Sequence, residues 1–160
     1  MLTKQEKMNK FPENVRAGFP VRNGLFVRIP VFVLMALSFY LSSESTFPAM
    51  PSFRFADKIV HFAYFGAIAA CWSWWFSPQS WKQHWLRNVL FCVLFTSAYG
   101  IIDEFHQSFV PGRSCDPFDW IADTLGAFPG CAAGYLAGRI RLNTKICTVI
   151  YHRQNSKKLD

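Results

Sequence analysis

The chain has 160 residues, of which 51% are hydrophobic, 18% are aromatic and only 17% are charged. A soluble domain usually carries about 25% charged residues, so this composition fits one domain but argues against an ordinary soluble globule. The formal net charge is +7. No nucleic-acid-binding motif or interleaved aromatic pattern accompanies the basic residues, and nucleic acid is therefore excluded as the expected partner.

Four long apolar segments, taken in chain order, predict helices that cross a membrane. The first covers about 25–42, the second about 59–76, the third about 89–102 and the fourth about 118–140. A spanning helix needs roughly 20 apolar residues, so the third is short unless its ends tilt or extend into the interface. A basic leader precedes the first segment, and its length favours a retained anchor over a cleavable signal peptide.

These segments predict an all-α fold class, namely an integral membrane bundle of four transmembrane helices. The predicted parts are a basic leader at 1–23, a membrane domain at 24–141 and a basic tail at 142–160. All of the 17 basic residues except Arg54, Lys58 and Arg113 lie on one predicted side. Because Lys and Arg favour the cytoplasmic side, we expect a multi-pass protein of the cytoplasmic (inner) membrane. Both termini are then cytoplasmic, with their charges against anionic lipid heads.

Ionisable side chains concentrate at the predicted outer ends of three helices. Antiparallel threading brings the start of the second segment, the end of the third and the start of the fourth to one depth. A charge within a span costs about 2.5 to 3.5 kcal/mol, so such groups usually face the bundle interior and pair with something. We expect one polar site built from Asp57, Lys58, His61, Asp103, Glu104, His106, Gln107, Arg113, Asp116, Asp119 and Asp123.

Glycines recur at intervals of four along the fourth segment. Small residues at this spacing let another helix approach closely, which predicts a packing face or, alternatively, the face of a homo-oligomer. Asp123 lies three residues before the first glycine and shares its face, so its carboxylate is expected to point into the bundle. The ladder consists of Gly126, Gly130, Gly134 and Gly138.

Two stretches of the predicted polar site also carry a family likeness. They read DKIVHFAYFGAI, from Asp57, and YGIIDEFHQSFVPGRSCDPFDWIADTLGAFPG, from Tyr99. Together they resemble the VanZ-like family of small bacterial membrane proteins over about residues 30–138. The resemblance implies a bundle of membrane helices in the cell envelope, and the family is named for a member linked to resistance to the glycopeptide antibiotic teicoplanin. The implied signature positions are Asp57, Lys58, His61, Asp103, Glu104, Gln107, Pro111, Arg113 and Asp119.

The activity of this site stays open between binding and catalysis. In the favoured interpretation, an envelope protein binds an envelope component such as a lipid-linked precursor or a lipid phosphate, or its charges form a structural lock. The expected ligand-binding residues are Asp57, Lys58, His61, Asp103, Glu104, Gln107, Arg113, Asp119 and Asp123. The alternative is a membrane-embedded enzyme that acts on a lipid or a lipid-linked precursor by acid–base chemistry. Its catalytic candidates are His61, Asp103, Glu104 and His106.

Metal binding and transport are two further interpretations of the same residues. Carboxylates and imidazoles are suitable ligands for a divalent ion, but no recognised metal-binding motif occurs, so we predict no metal site. The sequence identifies no cofactor. A transport pathway is disfavoured because the charges lie at only one end of the spans.

At Asp123 members of the VanZ-like family more often have asparagine, which leaves the net charge of the site open.

Overall fold

A computed structural model of the chain describes residues 24–45 and 55–156, and these residues form helices and no strand. The predicted all-α class is therefore confirmed for the described residues. The basic leader at 1–23, Arg54 and the last four residues of the tail lie outside them. The helices are α1 (Gly24–Ser42), α2 (Ala56–Ser73), α3 (Pro78–Gln107) and α4 (Pro117–Ser156).

The third helix is longer than the apolar segment that predicted it. It begins with Ser77 as its N-cap, whose hydroxyl accepts a hydrogen bond from the Ser80 amide at 3.1 Å, and Pro78 occupies the first turn. Proline is tolerated there because its missing N–H would have no helical partner. His84 interrupts the helical geometry with φ −138° and ψ 37°. The polar stretch before the apolar segment is thus helical, and a kink separates it from the rest of α3.

The fourth helix packs along the second. A Cβ at Gly126 would overlap the backbone oxygen of Phe62, and one at Gly130 would overlap that of Gly66. Because both glycines lack this atom, the two backbones approach closely, as small residues at this spacing allow. A Cβ at Gly134 would likewise overlap the backbone oxygen of Ala70, whereas a Cβ at Gly138 would meet nothing within 4 Å. The ladder therefore contacts α2 through its first three glycines.

The four helices bring alternate ends together at one end of the bundle. The C-terminal ends of α1 and α3 meet there, with Ser42 Oγ donating to Asp103 Oδ1 at 2.8 Å. The start of α2 meets the residue before α4, with Lys58 Nζ donating to Asp116 Oδ2 at 2.7 Å. We call this end the polar end, because it gathers side chains from all four helices.

The outward faces of the helices carry many large apolar side chains. Leu94 is 63% exposed, Phe105 is 65% exposed and Phe118 is 66% exposed. Extended apolar surface of this kind marks a surface that contacts lipid or another protein. Within the described residues, α3 alone has both the length and the apolar composition of a membrane span, and Phe26–Ser42 is a shorter apolar helix. The prediction of four spans stays a prediction.

Candidate functional site

Lys58 stands at the centre of the first group of side chains at the polar end. Its Nζ donates to Asp57 Oδ2 at 2.9 Å, to Asp116 Oδ2 at 2.7 Å and to Asp119 Oδ1 at 2.9 Å. These four residues are the lysine group. Asp116 also accepts the Phe118 amide at 2.9 Å, so one carboxylate both pairs with Lys58 and caps the start of α4.

The charge of Lys58 acts on the two more exposed carboxylates of the lysine group. Its hydrogen bonds hold the pKa of Asp116 and the pKa of Asp57 below their usual value of 3.8. Both residues precede the apolar part of their helices, which begins at Ile59 in α2 and at Phe118 in α4. Asp57 and Asp116 therefore remain charged at neutral pH, and their ion pairs with Lys58 link the start of α2 to the start of α4.

A second group lies three residues deeper along α2. His61 Nδ1 is 3.0 Å from Asp123 Oδ1 and 4.0 Å from Glu104 Oε1. Asp123 is fully buried and Glu104 is 3% exposed. The other oxygen of Glu104 accepts the backbone N–H of Asp116 at 2.8 Å, which ties this carboxylate to the lysine group. We call His61, Glu104 and Asp123 the histidine group.

A third group surrounds Asp103 with hydrogen-bond donors. Ser42 Oγ donates to Asp103 Oδ1 at 2.8 Å and Ser38 Oγ at 3.4 Å, while Gln107 Nε2 donates to Oδ2 at 3.0 Å. Both oxygens of the buried carboxylate are thus satisfied. Sequence analysis did not single out Ser38 and Ser42, although two serines four residues apart on one face of an apolar helix were a usable signal.

His106 lies apart from the three groups. Its Nε2 is 2.9 Å from Ser43 Oγ, and its ring stacks on Phe39 with centroids 4.0 Å apart. Asp103 and Gln107 are four residues apart and share a face of α3, whereas His106 lies on the adjacent face, toward α1. Proximity in sequence therefore did not bring His106 to the buried carboxylates.

A pocket opens beside these groups between α1, α2 and α3. Its volume is about 60 Å³, which is room for several water molecules. The lining combines charged or polar groups with apolar side chains. It consists of Ser38, Leu41, Ser42, Val60, His61, Tyr64, Phe65, Asp103, Gln107 and Arg113.

Arg113 reaches this pocket from a tight turn. Gly112 has φ +82°, and the Arg113 amide donates to the Val110 carbonyl at 3.1 Å. Pro111 followed by a glycine with positive φ is typical of a type II turn, because only glycine adopts that geometry without strain. Two of the signature residues, Pro111 and Arg113, thus belong to the same turn, and this turn positions the guanidinium of Arg113.

Two sets of three side chains at the polar end have ligand atoms within 4.8 Å of one another, the spacing at which a cation could be held. One is the histidine group. The other consists of Asp57, Asp116 and Asp119, and these carboxylates already surround the amine of Lys58.

The comparison with protein families decides the assignment that the motifs suggested. The sequence profile of the VanZ/LLP1 family matches residues 5–138, which include every residue of the three groups. The chain belongs to the VanZ/LLP1 family. Proteins of this family are typically membrane proteins, in agreement with α3, which is long and apolar enough to cross a membrane. No curated protein and no solved structure matches the chain significantly.

Proposed function

We propose that this VanZ/LLP1 protein crosses the cytoplasmic membrane with its four helices and binds the anionic head group of an envelope lipid or lipid-linked precursor at the polar end. The pocket carries the proposal, because its lining places an arginine and a histidine beside hydrogen-bonding groups and apolar side chains. In this proposal the polar end faces outward, because both termini are then cytoplasmic and all basic residues of the sequence except Arg54, Lys58 and Arg113 are expected on the cytoplasmic side.

The lining of the pocket supports an amphiphilic ligand with a negative charge. A guanidinium binds phosphate or carboxylate through two parallel hydrogen bonds, and Arg113 contributes this group. Leu41 and Val60 contribute apolar surface at the same opening, and Val60 is 42% exposed. The volume of about 60 Å³ suits the polar part of a ligand, with its apolar chain left outside between the helices.

The experiment compares the anionic lipids that remain bound to the purified full-length protein. Mass spectrometry of the wild type in mild detergent is expected to show a retained phospholipid or lipid-linked precursor. Arg113→Ala should reduce its occupancy at least about tenfold, because a hydrogen bond to a charged group contributes about 1.5 to 3 kcal/mol. Arg87→Ala is the matched control, since Arg87 lies near the opposite end of α3 and donates to Ser80.

Two results would contradict the binding proposal. In one, Arg113→Ala retains the same lipid at the same occupancy as the wild type. In the other, Arg87→Ala loses as much lipid as Arg113→Ala, which would mean that anionic lipid only coats the positive charge of the protein. Loss in Arg113→Ala alone supports a specific pocket.

One contact favours the catalytic alternative. His61 lines the pocket, and its Nδ1 is 3.0 Å from Asp123 Oδ1. A carboxylate that orients an imidazole is the usual arrangement of a general base. Purified protein with lipid phosphates or lipid-linked precursors should then release product, and His61→Ala should abolish the release. If the protein retains lipid but releases no product, the site binds its ligand without catalysis.

A role in glycopeptide resistance follows the family resemblance. Expression of the chain in a susceptible host should raise the inhibitory concentration of teicoplanin, and Arg113→Ala should remove that increase if the pocket is responsible. If the wild type is expressed at a verified level and the inhibitory concentration of teicoplanin does not change, the chain has no role in resistance in that host.

A further inference from the structure

The histidine group has the geometry of a three-ligand cation site. His61 Nδ1 is 3.0 Å from Asp123 Oδ1 and 4.0 Å from Glu104 Oε1, and a ligand atom from each residue lies within 4.8 Å of the others. A first-row divalent ion binds nitrogen and carboxylate oxygen at about 2.0 to 2.2 Å, which separates neighbouring ligand atoms by roughly 3 to 4 Å. The three side chains come from α2, α3 and α4.

One oxygen of the Asp123 carboxylate also points to a bound cation. Asp123 is fully buried, yet its Oδ2 has no hydrogen-bond partner among the residues that the structure describes. A Cβ on Gly100 would lie 2.8 Å from this oxygen. The carboxylate thus presents Oδ1 to His61 on α2 and Oδ2 to α3, one turn before Glu104. A buried carboxylate oxygen without a partner is costly, and a bound cation would satisfy it.

The charges of the neighbouring groups show why the occupant would be a cation. In the lysine group, three carboxylates surround an amine that the chain itself provides. In the third group, Asp103 accepts three hydrogen bonds, from Ser38, Ser42 and Gln107. The histidine group has two buried carboxylates and one imidazole. Glu104 accepts the Asp116 amide at 2.8 Å and Gln107 Nε2 at 3.4 Å, so the unpartnered oxygen belongs to Asp123. Buried negative charge of this kind is normally paired or coordinates a metal.

We propose that His61, Glu104 and Asp123 bind a divalent first-row cation such as Zn²⁺ or Mn²⁺. One imidazole and two carboxylates suit these ions, and three protein ligands leave a position for water or for a ligand. The backbone N–H of Asp116 holds the second oxygen of Glu104 at 2.8 Å, which orients this carboxylate as outer-shell hydrogen bonds do in metal sites. The proposal does not depend on what the neighbouring pocket binds.

Zinc binding to the chelator-treated full-length protein tests this site. The wild type should bind about one Zn²⁺ per chain in equilibrium dialysis with elemental analysis, and Co²⁺ should give visible absorption bands of a protein-bound ion. Asp123→Asn and Glu104→Gln should each weaken Zn²⁺ binding by at least about tenfold, the lower range measured even for outer-shell changes. The second variant keeps the test informative if Asp123→Asn fails to fold.

Two controls separate this site from the rest of the polar end. Asp57→Asn removes the same charge from the lysine group and should bind Zn²⁺ as the wild type does. Arg113→Ala should also retain Zn²⁺, even where it loses bound lipid. A wild type that binds no Zn²⁺ overturns the proposal. It is equally overturned if Glu104→Gln binds Zn²⁺ unchanged, or if Asp57→Asn weakens binding as much as Glu104→Gln.

Discussion

At the scale of single residues, Lys58 holds the polar end together through one amine. Three carboxylates within 2.9 Å of its Nζ come from the start of α2, the residue before α4 and the first turn of α4. The side chain of Lys58 is 21% exposed and that of Asp119 is 11% exposed. Removal of the amine would leave mutually repelling carboxylates in a partly desolvated place, which is more costly than the loss of a surface ion pair.

The lysine group predicts a specific dependence of stability on pH. The pKa of Asp116 and that of Asp57 are below 3.8 because of their hydrogen bonds with Lys58. A carboxylate whose pKa is lower in the folded state contributes its full stability above about pH 4 and loses it as the pH falls through the folded pKa. The Tm in detergent should therefore fall as the pH drops below about 4, and this pair should cause no change in Tm between about pH 5 and 7, where its stabilisation is complete.

Lys58→Met tests the cause of that pH dependence. At neutral pH it should lower the free energy of unfolding by about 1 to 3 kcal/mol. It should also reduce or reverse the acid-induced fall in Tm, because protonation then relieves repulsion among the three carboxylates. Lys82→Met, which removes an exposed lysine near the other end of the bundle, is the control. An acid-induced fall of the same size in Lys58→Met would show that other groups cause it.

At the scale of the helices, the closeness of α2 and α4 sets the position of the site. Glycines at 126 and 130 let the backbone of α4 rest against the backbone oxygens of Phe62 and Gly66. The same approach brings Asp123, one turn before Gly126, to within 3.0 Å of His61. The glycine ladder is therefore both a packing device and the reason why the histidine group can form.

Alanine substitutions within this one helix give a matched comparison. Gly130→Ala should lower the free energy of unfolding by about 1 to 3 kcal/mol, because the new methyl group overlaps a backbone oxygen of Gly66. Gly138→Ala should be neutral or stabilising by up to about 1 kcal/mol, since alanine favours helix and nothing lies within 4 Å of this position. Unfolding measured in the same detergent checks both values. Equal effects of the two substitutions would contradict the close contact of α2 with α4.

At the scale of the whole molecule, alternating helix direction determines which residues meet. The polar end unites α1 with α3 through Ser42 and Asp103, and α2 with α4 through Lys58 and Asp119. In the proposed topology this end is extracytoplasmic, and the described part of the opposite end includes the loop before Pro78. The same arrangement places Cys115 outside and Cys147 inside.

Thiol labelling checks this topology in cells. Cys115 is exposed at the polar end, whereas Cys71, Cys92 and Cys131 are buried. A membrane-impermeant maleimide should label the wild type in intact cells, because Cys115 then faces outward. Cys115→Ser should be labelled, at Cys147, only after the membrane is permeabilised. Labelling of Cys115→Ser in intact cells would contradict cytoplasmic termini.

The sequence predicted the helices better than it predicted their ends. Apolar segments located α1 and α2 to within a few residues, but α3 begins before its apolar segment and α4 continues to Ser156. Hydropathy follows the burial of side chains, whereas a helix also continues through polar residues whose backbone hydrogen bonds stay within the helix. The composition of the sequence does not predict the kink at His84, because the kink is a local change in the backbone dihedral angles.

Helical spacing and threading, both readable from the sequence, determined that acids and bases from α2, α3 and α4 would meet at one end. Only the tertiary structure decided the pairs within that end: Lys58 with three aspartates, Asp103 with serines of α1, and His61 with Asp123 and Glu104. It also turned His106 toward Ser43. The physical reason is that periodicity defines the face of one helix, whereas the partner across the gap depends on the distance and rotation of its neighbour.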